Sequence, residues 1–198
     1  MLMTHVWGLY AHTKQEWHDI DRNHAGISSS ISHILLIALI PAICAYVSTV
    51  YLGWKVGNNS FYLTPDSALF MSIAMYCALV IGVVGLAFAA QWMAKTFNAN
   101  TTYQQTLELS AYIATPIFMV GFSALYPHPW FIMIAGFIGV AYAVYLLYTG
   151  VPIIMHIPEE RGFIYASSLV TVGLVMLVSI MIATVILWSS GVGPVFSN

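Results

Sequence analysis

The sequence predicts an all-α membrane protein: a bundle of about five transmembrane helices, preceded by a short amphipathic helix near the N-terminus. Of the 198 residues, 60% are hydrophobic and only 6% are charged, whereas soluble domains carry about 25% charged residues. Five apolar runs reach the length of about 20 residues that a helix needs to cross a bilayer. Both observations indicate a chain that is surrounded by lipid rather than by water.

Charge and cysteine content exclude several classes of function. The formal net charge is −2, and the few Lys and Arg side chains are scattered, so the basic patch that binds nucleic-acid phosphates is missing. Cys44 and Cys77 lie inside apolar runs and form no CxxC pair, so we expect two small buried hydrophobes rather than a zinc or redox site. The polar start of the chain lacks the apolar core of a signal peptide. We therefore expect the first apolar run to direct insertion.

The polar N-terminal segment contains one predicted helix. Thr13 and Glu16 match a capping box, in which the hydroxyl and the carboxylate each bond a free backbone amide, and this predicts a helix over residues 13–21. Trp17 and Ile20 share one face of that helix. Such a face is typical of a helix on the membrane surface, and equally of one that packs against the cytoplasmic ends of the spans.

Histidines are frequent in and just after this segment: His5, His12, His18, His24 and His33. His12 and Glu16 are spaced i, i+4, so on a helix both face the same side and are candidate ligands of a divalent metal. Metal sites usually show tighter ligand sets such as HExxH, which the sequence lacks. Solvated or interfacial histidines are the simpler interpretation, and we expect no cofactor.

The five apolar runs contain no Lys or Arg and cover residues 34–52, 68–93, 107–125, 131–149 and 166–188; we number them span one to span five. Tryptophan prefers the headgroup layer, and four tryptophans stand at run ends: Trp54, Trp92, Trp130 and Trp188. These boundaries divide the chain into an N-terminal segment (1–31), a five-span domain (32–190) and a short tail (191–198).

The distribution of basic residues favours one orientation. Lys14, Arg22, Lys95 and Arg161 fall in segments that share one side of the membrane, and only Lys55 falls on the other. Because cytoplasmic segments carry the excess of Lys and Arg, we expect a cytoplasmic N-terminus. With five spans, the C-terminus is then periplasmic.

Two patterns inside the spans concern helix geometry and packing. Proline removes a helix hydrogen bond, so we expect kinks, which serve static packing or mark a pathway, at Pro41, Pro116 and Pro152. Small residues recur every four positions, which lets helix backbones approach closely; they are Ala74, Ala78 and Gly82 in span two and Ala135, Gly139 and Ala143 in span four. Internal packing and a homodimer face both explain these stripes.

Polar side chains in spans three and four form a candidate line through the bundle. Glu108, Tyr112 and Thr115 share one face of span three, and Tyr142 and Tyr145 follow in span four. An acidic residue within a span is a functional candidate, yet Glu108 also suits a helix N-terminus. We expect Glu108 to lie at the membrane interface, where water reaches it from the cytoplasm.

Four stretches of the chain carry a family resemblance: HVWGLYAHTKQEWHDIDRN (5–23), HILLIALIPAICAYVSTVYLGW (33–54), AYIATPIFMVGFSALYP (111–127) and YLLYTGVPIIMHIPEERGFIYASS (145–168). They resemble the bacterial inner-membrane branch of the YIP family, five-span proteins whose eukaryotic members bind Rab GTPases on Golgi membranes. The resemblance implies a five-span fold in an inner membrane. The Asp-Leu-Tyr-Gly-Pro element of the eukaryotic members is missing here, so Rab binding is not implied.

No catalytic signature is present, because GxSxG, HExxH, Walker and GxGxxG motifs are all missing. We therefore expect no enzyme, but a membrane-organising scaffold or adaptor whose partners are the lipid bilayer and other membrane proteins or a second copy of the chain. The alternative is a small transporter or channel, for example for a cation, that uses the kinked spans and Glu108.

The orientation gives a first testable prediction. A reporter that is active only in the cytoplasm should work when fused before Met1 and fail when fused after Asn198, because an odd number of spans separates the two ends. The measurement is reporter activity in intact cells at matched expression. Activity at both ends would mean an even number of spans.

Overall fold

The computed structural model describes residues 8–23, 26–56, 59–191 and 193–197. Helix α1 is Thr13–Arg22, and the helices of spans one to five are α2 (Ile27–Val47), α3 (Pro65–Ala94), α4 (Tyr103–Met119), α5 (Pro129–Ile154) and α6 (Glu159–Ser189). Within the described residues, five helical segments are long and apolar enough to cross a membrane. The predicted all-α fold class and the five spans are confirmed.

Span three is the centre of the bundle, and span five lies at its edge. In the most apolar window of span three, 67% of the residues are buried, against 6% in span five. Helix α4 packs against α2, α3 and α5, whereas α6 packs against α5 and the C-terminal half of α3. Span three also has the lowest mean hydropathy of the five spans, 1.4 against 2.7 in span five. The span with the most polar side chains is thus enclosed by other helices, and the most apolar span is left to the lipid.

The apolar core has two parts that meet on α4. One part joins α1, α4, α5 and α6, and it includes Trp17, Leu109, Leu146 and Leu169. The other joins α2, α3 and α4, and it includes Ile34, Val83, Leu107 and Phe118. The hydroxyl of Tyr165 on α6 also donates a hydrogen bond to the Ala90 carbonyl of α3, which ties span five to span two.

All three predicted kink prolines lie where one span meets a glycine of another. A Cβ added to Gly121 would lie 2.7 Å from Pro41 Cβ, one added to Gly139 would lie 3.3 Å from the Pro116 carbonyl oxygen, and one added to Gly162 would lie 2.6 Å from Pro152 Cγ. The backbones can approach this closely only because glycine has no side chain. Close packing between spans is therefore one role of these three prolines.

Two spans change helix type near their ends. Span one continues from α2 into a π-helical turn, Ser48–Leu52, and span three continues from α4 into a 3₁₀ helix, Val120–Leu125. Each change follows a proline inside the helix, Pro41 or Pro116. Proline frees the carbonyl four residues before it, so the hydrogen bonds lost at Pro41 and Pro116 lie upstream of these changes and do not cause them.

The two small-residue stripes face different surroundings. In span four, Gly139 and Ala143 are buried, so this stripe serves internal packing. In span two, Ala74 is exposed and no heavy atom lies within 4 Å of a Cβ added to Gly82. The other members, Ala135 and Ala78, are partly buried. Span two packs inward through a different set: Val83, Ala87, Ala90 and Ala94.

A small antiparallel sheet lies outside the spans. Strands β1 (Trp54–Val56) and β2 (Asn59–Leu63) belong to the connection between spans one and two, and β3 (Phe196–Ser197) belongs to the C-terminal tail. The rings of Phe61 and Phe196 meet edge to face at 6.3 Å. The sheet places the first connection and the tail on the same side of the bundle, as five spans require. The apolar pattern of the sequence predicts no strand in either segment.

The predicted capping box at Thr13 is wrong. His12 is the N-cap of α1 and makes no side-chain cap bond, while the Thr13 hydroxyl donates to the Leu9 carbonyl oxygen at 2.8 Å because a helical turn already precedes it. A capping box does stand at the start of span three. There the Thr102 amide donates to Gln105 Oε1 at 2.8 Å, and the Gln105 amide donates to Thr102 Oγ1 at 3.4 Å.

The close approach at Gly139 gives a second testable prediction. Gly139→Leu should lower the free energy of unfolding by about 1–3 kcal/mol, because the new side chain overlaps Val120 and forces span four away from span three. The matched control is Gly136→Leu, one turn earlier on the same helix, where an added Cβ meets nothing within 4 Å. The measurement is thermal or denaturant unfolding in detergent. Equal stability of the two variants would contradict the assigned packing.

Candidate functional site

The candidate site is a group of polar side chains enclosed around span three, on the side of the bundle that carries the N-terminal segment. We call it the buried polar cluster, and it consists of Trp17 of α1, Ser30 and His33 of α2, and Glu108, Tyr112 and Thr115 of α4. Each of these residues is at most 4% exposed. Burial of so many polar groups within a membrane bundle is costly unless they interact with one another.

A hydrogen bond between His33 and Thr115 joins spans one and three. His33 Nε2 lies 2.9 Å from Thr115 Oγ1, and the Thr115 hydroxyl donates its single proton to the Ala111 carbonyl oxygen at 3.0 Å. His33 must therefore be the donor, and its ring carries a proton on Nε2. The imidazole also lies 5.3 Å from the ring of Tyr112.

Glu108 lies inside the bundle, which corrects the expectation that it sits in water at the membrane interface. Helix α4 begins at Tyr103, so Glu108 is about one and a half turns into the helix, and it is only 2% exposed. The Tyr112 phenol interacts electrostatically with Glu108 and with Glu16 of α1. Two carboxylates from different helices are thus close enough to Tyr112 to act on it electrostatically.

Trp17 anchors α1 to the spans. Its side chain is fully buried, its indole N–H donates to Thr149 Oγ1 at 3.3 Å, and its ring meets Tyr112 edge to face at 6.2 Å. Gly150 provides the space, since a Cβ there would lie 2.7 Å from Trp17 Cε2. Of the two interpretations of the amphipathic helix, packing of its apolar face against the spans is therefore the one that the structure supports.

Tyr142 and Tyr145 do not join the predicted polar line. The Tyr142 hydroxyl donates to the Leu9 carbonyl oxygen at 2.8 Å, and its ring stacks on Tyr10 at 4.9 Å. Partial burial, together with Tyr142, raises the pKa of Tyr10 above its usual range. Tyr145 is 47% exposed on the outside of span four. Helical spacing placed these tyrosines on one face, but that face binds the N-terminal segment rather than span three.

The structure does not bring His12 and Glu16 together as a metal site. His12 is exposed and lines an outer groove with Tyr142, whereas the Glu16 carboxylate lies against Gly8 and interacts with Tyr112. Among the described residues, no group of three His, Cys, Asp or Glu side chains is placed to hold a metal ion. Two other N-terminal histidines, His5 and His24, lie outside the described residues.

The hydrogen bond that His33 makes to span three is not predicted by the sequence pattern. His33 was grouped with the polar N-terminal histidines, although it stands at the edge of the first apolar run. Its spacing of three residues from Ser30 puts both side chains on one face of α2. A polar pair at helical spacing next to an apolar run was the available signal.

The chain is similar over most of its length to known membrane proteins. The Yip1 domain family matches residues 7–180. Inner membrane protein YohC of Escherichia coli strain K12 is 34% identical over 191 residues, which cover 96% of this chain and 98% of that protein. The YohC of E. coli O6:H1 strain CFT073 gives the same values. No solved structure matches the chain significantly.

The anchoring of α1 gives a third testable prediction. Trp17→Ala should weaken the packing of α1 against the spans by about 3–5 kcal/mol, because it leaves an empty cavity where the indole was enclosed. Helix α1 should then detach from the spans. The measurement is hydrogen exchange of the backbone amides of residues 13–22 in the purified protein. His18→Ala, an exposed change on the same helix, is the control and should leave exchange unchanged. Unaltered protection in Trp17→Ala would show that α1 is held by other contacts.

Proposed function

Because this chain belongs to the Yip1 domain family, we propose that it is a multi-pass protein of a bacterial inner membrane that acts as a non-enzymatic scaffold or adaptor. Its E. coli relatives are named inner membrane proteins, and its five apolar helices fit that location. The excess of Lys and Arg on one side of the spans supports a cytoplasmic N-terminus, and with it a cytoplasmic α1.

The observation that carries the proposal is the use of interior polar groups to join the parts of the protein. The bond from His33 to Thr115 joins spans one and three, and that from Trp17 to Thr149 joins α1 to span four. A conducting path needs polar groups that face water. Groups that bind other helices and are closed off from solvent instead fix one arrangement of the spans, which is what a scaffold requires.

Span five offers a surface for a partner. Beyond Leu169, large apolar side chains of α6 point away from the bundle; they include Leu174, Val175, Leu177, Val178, Met181, Ile182, Val185 and Ile186. In a bilayer, such a helix is covered by acyl chains or by a helix of another protein or of a second copy. A helix with so little contact inside its own chain suits an adaptor that recruits other membrane proteins.

The second candidate function is a small transporter or channel for a cation. It is favoured by the electrostatic action of Glu16 and Glu108 on Tyr112, because ionisable groups within membrane proteins often mark ion or proton pathways. The two functions differ in whether Glu108 takes part in flux.

Flux through reconstituted protein gives a fourth testable prediction. Proteoliposomes with wild-type protein should leak protons and potassium no faster than protein-free liposomes, and Glu108→Gln should not change this, because the interior is closed. Glu160→Gln, an exposed change at the start of α6, is the control for loss of one negative charge. Wild-type flux that disappears in Glu108→Gln but survives in Glu160→Gln would overturn the scaffold in favour of the conduit.

A further inference from the structure

An open groove of about 980 Å³ lies between α1 and the turn that joins α5 to α6. Its volume is at the upper end of the range for small-molecule sites. Lys14, His18 and Asp21 line it from α1, and His156 and Glu159 line it from the turn. Because span four ends and span five begins at this turn, the groove lies at the membrane surface. We call it the interfacial groove.

The groove carries both signs of charge at separate positions. Lys14, His18 and Asp21 follow one another at i, i+4 and i+7, so they share one face of α1. Lys14 and Asp21, at the two ends of this row, are about 10 Å apart along the helix axis. A ligand of a single charge would meet a side chain of the same sign, whereas a ligand with a positive and a negative group can satisfy both ends.

Asp21 is held in place at the acidic end of the groove. Its Oδ2 lies 3.0 Å from His156 Nε2, while its Oδ1 is enclosed by the protein and has no hydrogen-bond donor among the described residues. The Asp21 side chain is 18% exposed. His156 reaches α1 from a left-handed backbone conformation with φ of 52°, which is uncommon for a residue with a side chain. A carboxylate oxygen has two lone pairs, so Oδ2 can accept a hydrogen bond from a further donor, such as an ammonium group, as well as from His156.

The apolar side of the groove is continuous with the lipid-facing surface. Tyr148 and Ile153 of α5 and Phe163 of α6 line it, and the rings of Tyr148 and Phe163 are 5.1 Å apart. Phe163 is 62% exposed at the start of span five. Acyl chains attached to a headgroup in the groove can thus run past Phe163 into the bilayer. An opening towards the lipid would have no purpose for a soluble ligand, so it favours a lipid.

We propose that the interfacial groove binds the headgroup of a phospholipid that carries a phosphate and a primary ammonium, as phosphatidylethanolamine does. Lys14 and His18 bind the phosphate, and Asp21 accepts a hydrogen bond from the ammonium. Phosphatidylglycerol has no ammonium to offer Asp21. Phosphatidylcholine has the positive charge, but its quaternary nitrogen has no N–H to donate. This site is independent of whether the protein is a scaffold or a conduit.

The test compares the three lipids on the full-length protein. The purified protein is delipidated in detergent and titrated with each lipid, and bound lipid is counted by native mass spectrometry. Phosphatidylethanolamine should be retained most strongly. Lys14→Gln should weaken the binding of all three lipids about tenfold through loss of a charge-assisted hydrogen bond to phosphate. Asp21→Asn should remove the preference for phosphatidylethanolamine and leave phosphatidylglycerol binding unchanged or stronger.

Two controls separate this site from general lipid binding. Lys95→Gln removes an exposed basic residue from the connection between spans two and three, and it should leave retention unchanged. Soluble glycerophosphoethanolamine should compete poorly, because it lacks the acyl chains. Equal retention of phosphatidylethanolamine and phosphatidylglycerol by the wild type would overturn the proposal, as would full retention in Lys14→Gln. Competition by glycerophosphoethanolamine as strong as by the lipid would overturn the assignment to a lipid.

Discussion

The bundle depends on close approach between spans at three proline–glycine contacts. They link span one to span three (Pro41 and Gly121), span three to span four (Pro116 and Gly139) and span four to span five (Pro152 and Gly162). Lipid tails are as apolar as the side chains, so helices in a bilayer gain little from hydrophobic burial and are held by close van der Waals contact and hydrogen bonds. Glycine allows that contact, and two of the three contacts hold span three against spans one and four.

The enclosure of span three explains how polar groups are tolerated inside the bundle and what they do there. His33 and Thr115 bond each other between spans, and Trp17 inserts over Gly150 to reach Thr149. The N-terminal helix is thereby part of the membrane domain rather than a separate surface element. An interior fixed by such contacts, next to a largely uncovered fifth span, suits a protein that arranges partners around it. The interfacial groove lies at the lipid-facing surface of the same bundle.

The sequence was sufficient for the fold class and the five spans, because a helix in lipid must be apolar over its whole crossing length. It was insufficient for the depth of Glu108. The apolar run suggested that span three starts near that residue, but the capping box at Thr102 starts the helix earlier and carries the carboxylate inward. Helical spacing predicted which face of span four carries Tyr142. It could not predict which element lies against that face, because this depends on how the spans pack. The two-residue strand β3 is too short to show a period.

The central claim is that the buried polar cluster is closed to water. Hydroxyl-radical footprinting of the unmodified protein in lipid nanodiscs tests it directly, because the radicals travel with water and modify tyrosine. Tyr112 is expected to be as well protected as the buried Tyr165, while Tyr126, which is 56% exposed outside the spans, is expected to be modified. Modification of Tyr112 at a rate close to that of Tyr126 would show that water reaches the cluster, and it would contradict the account.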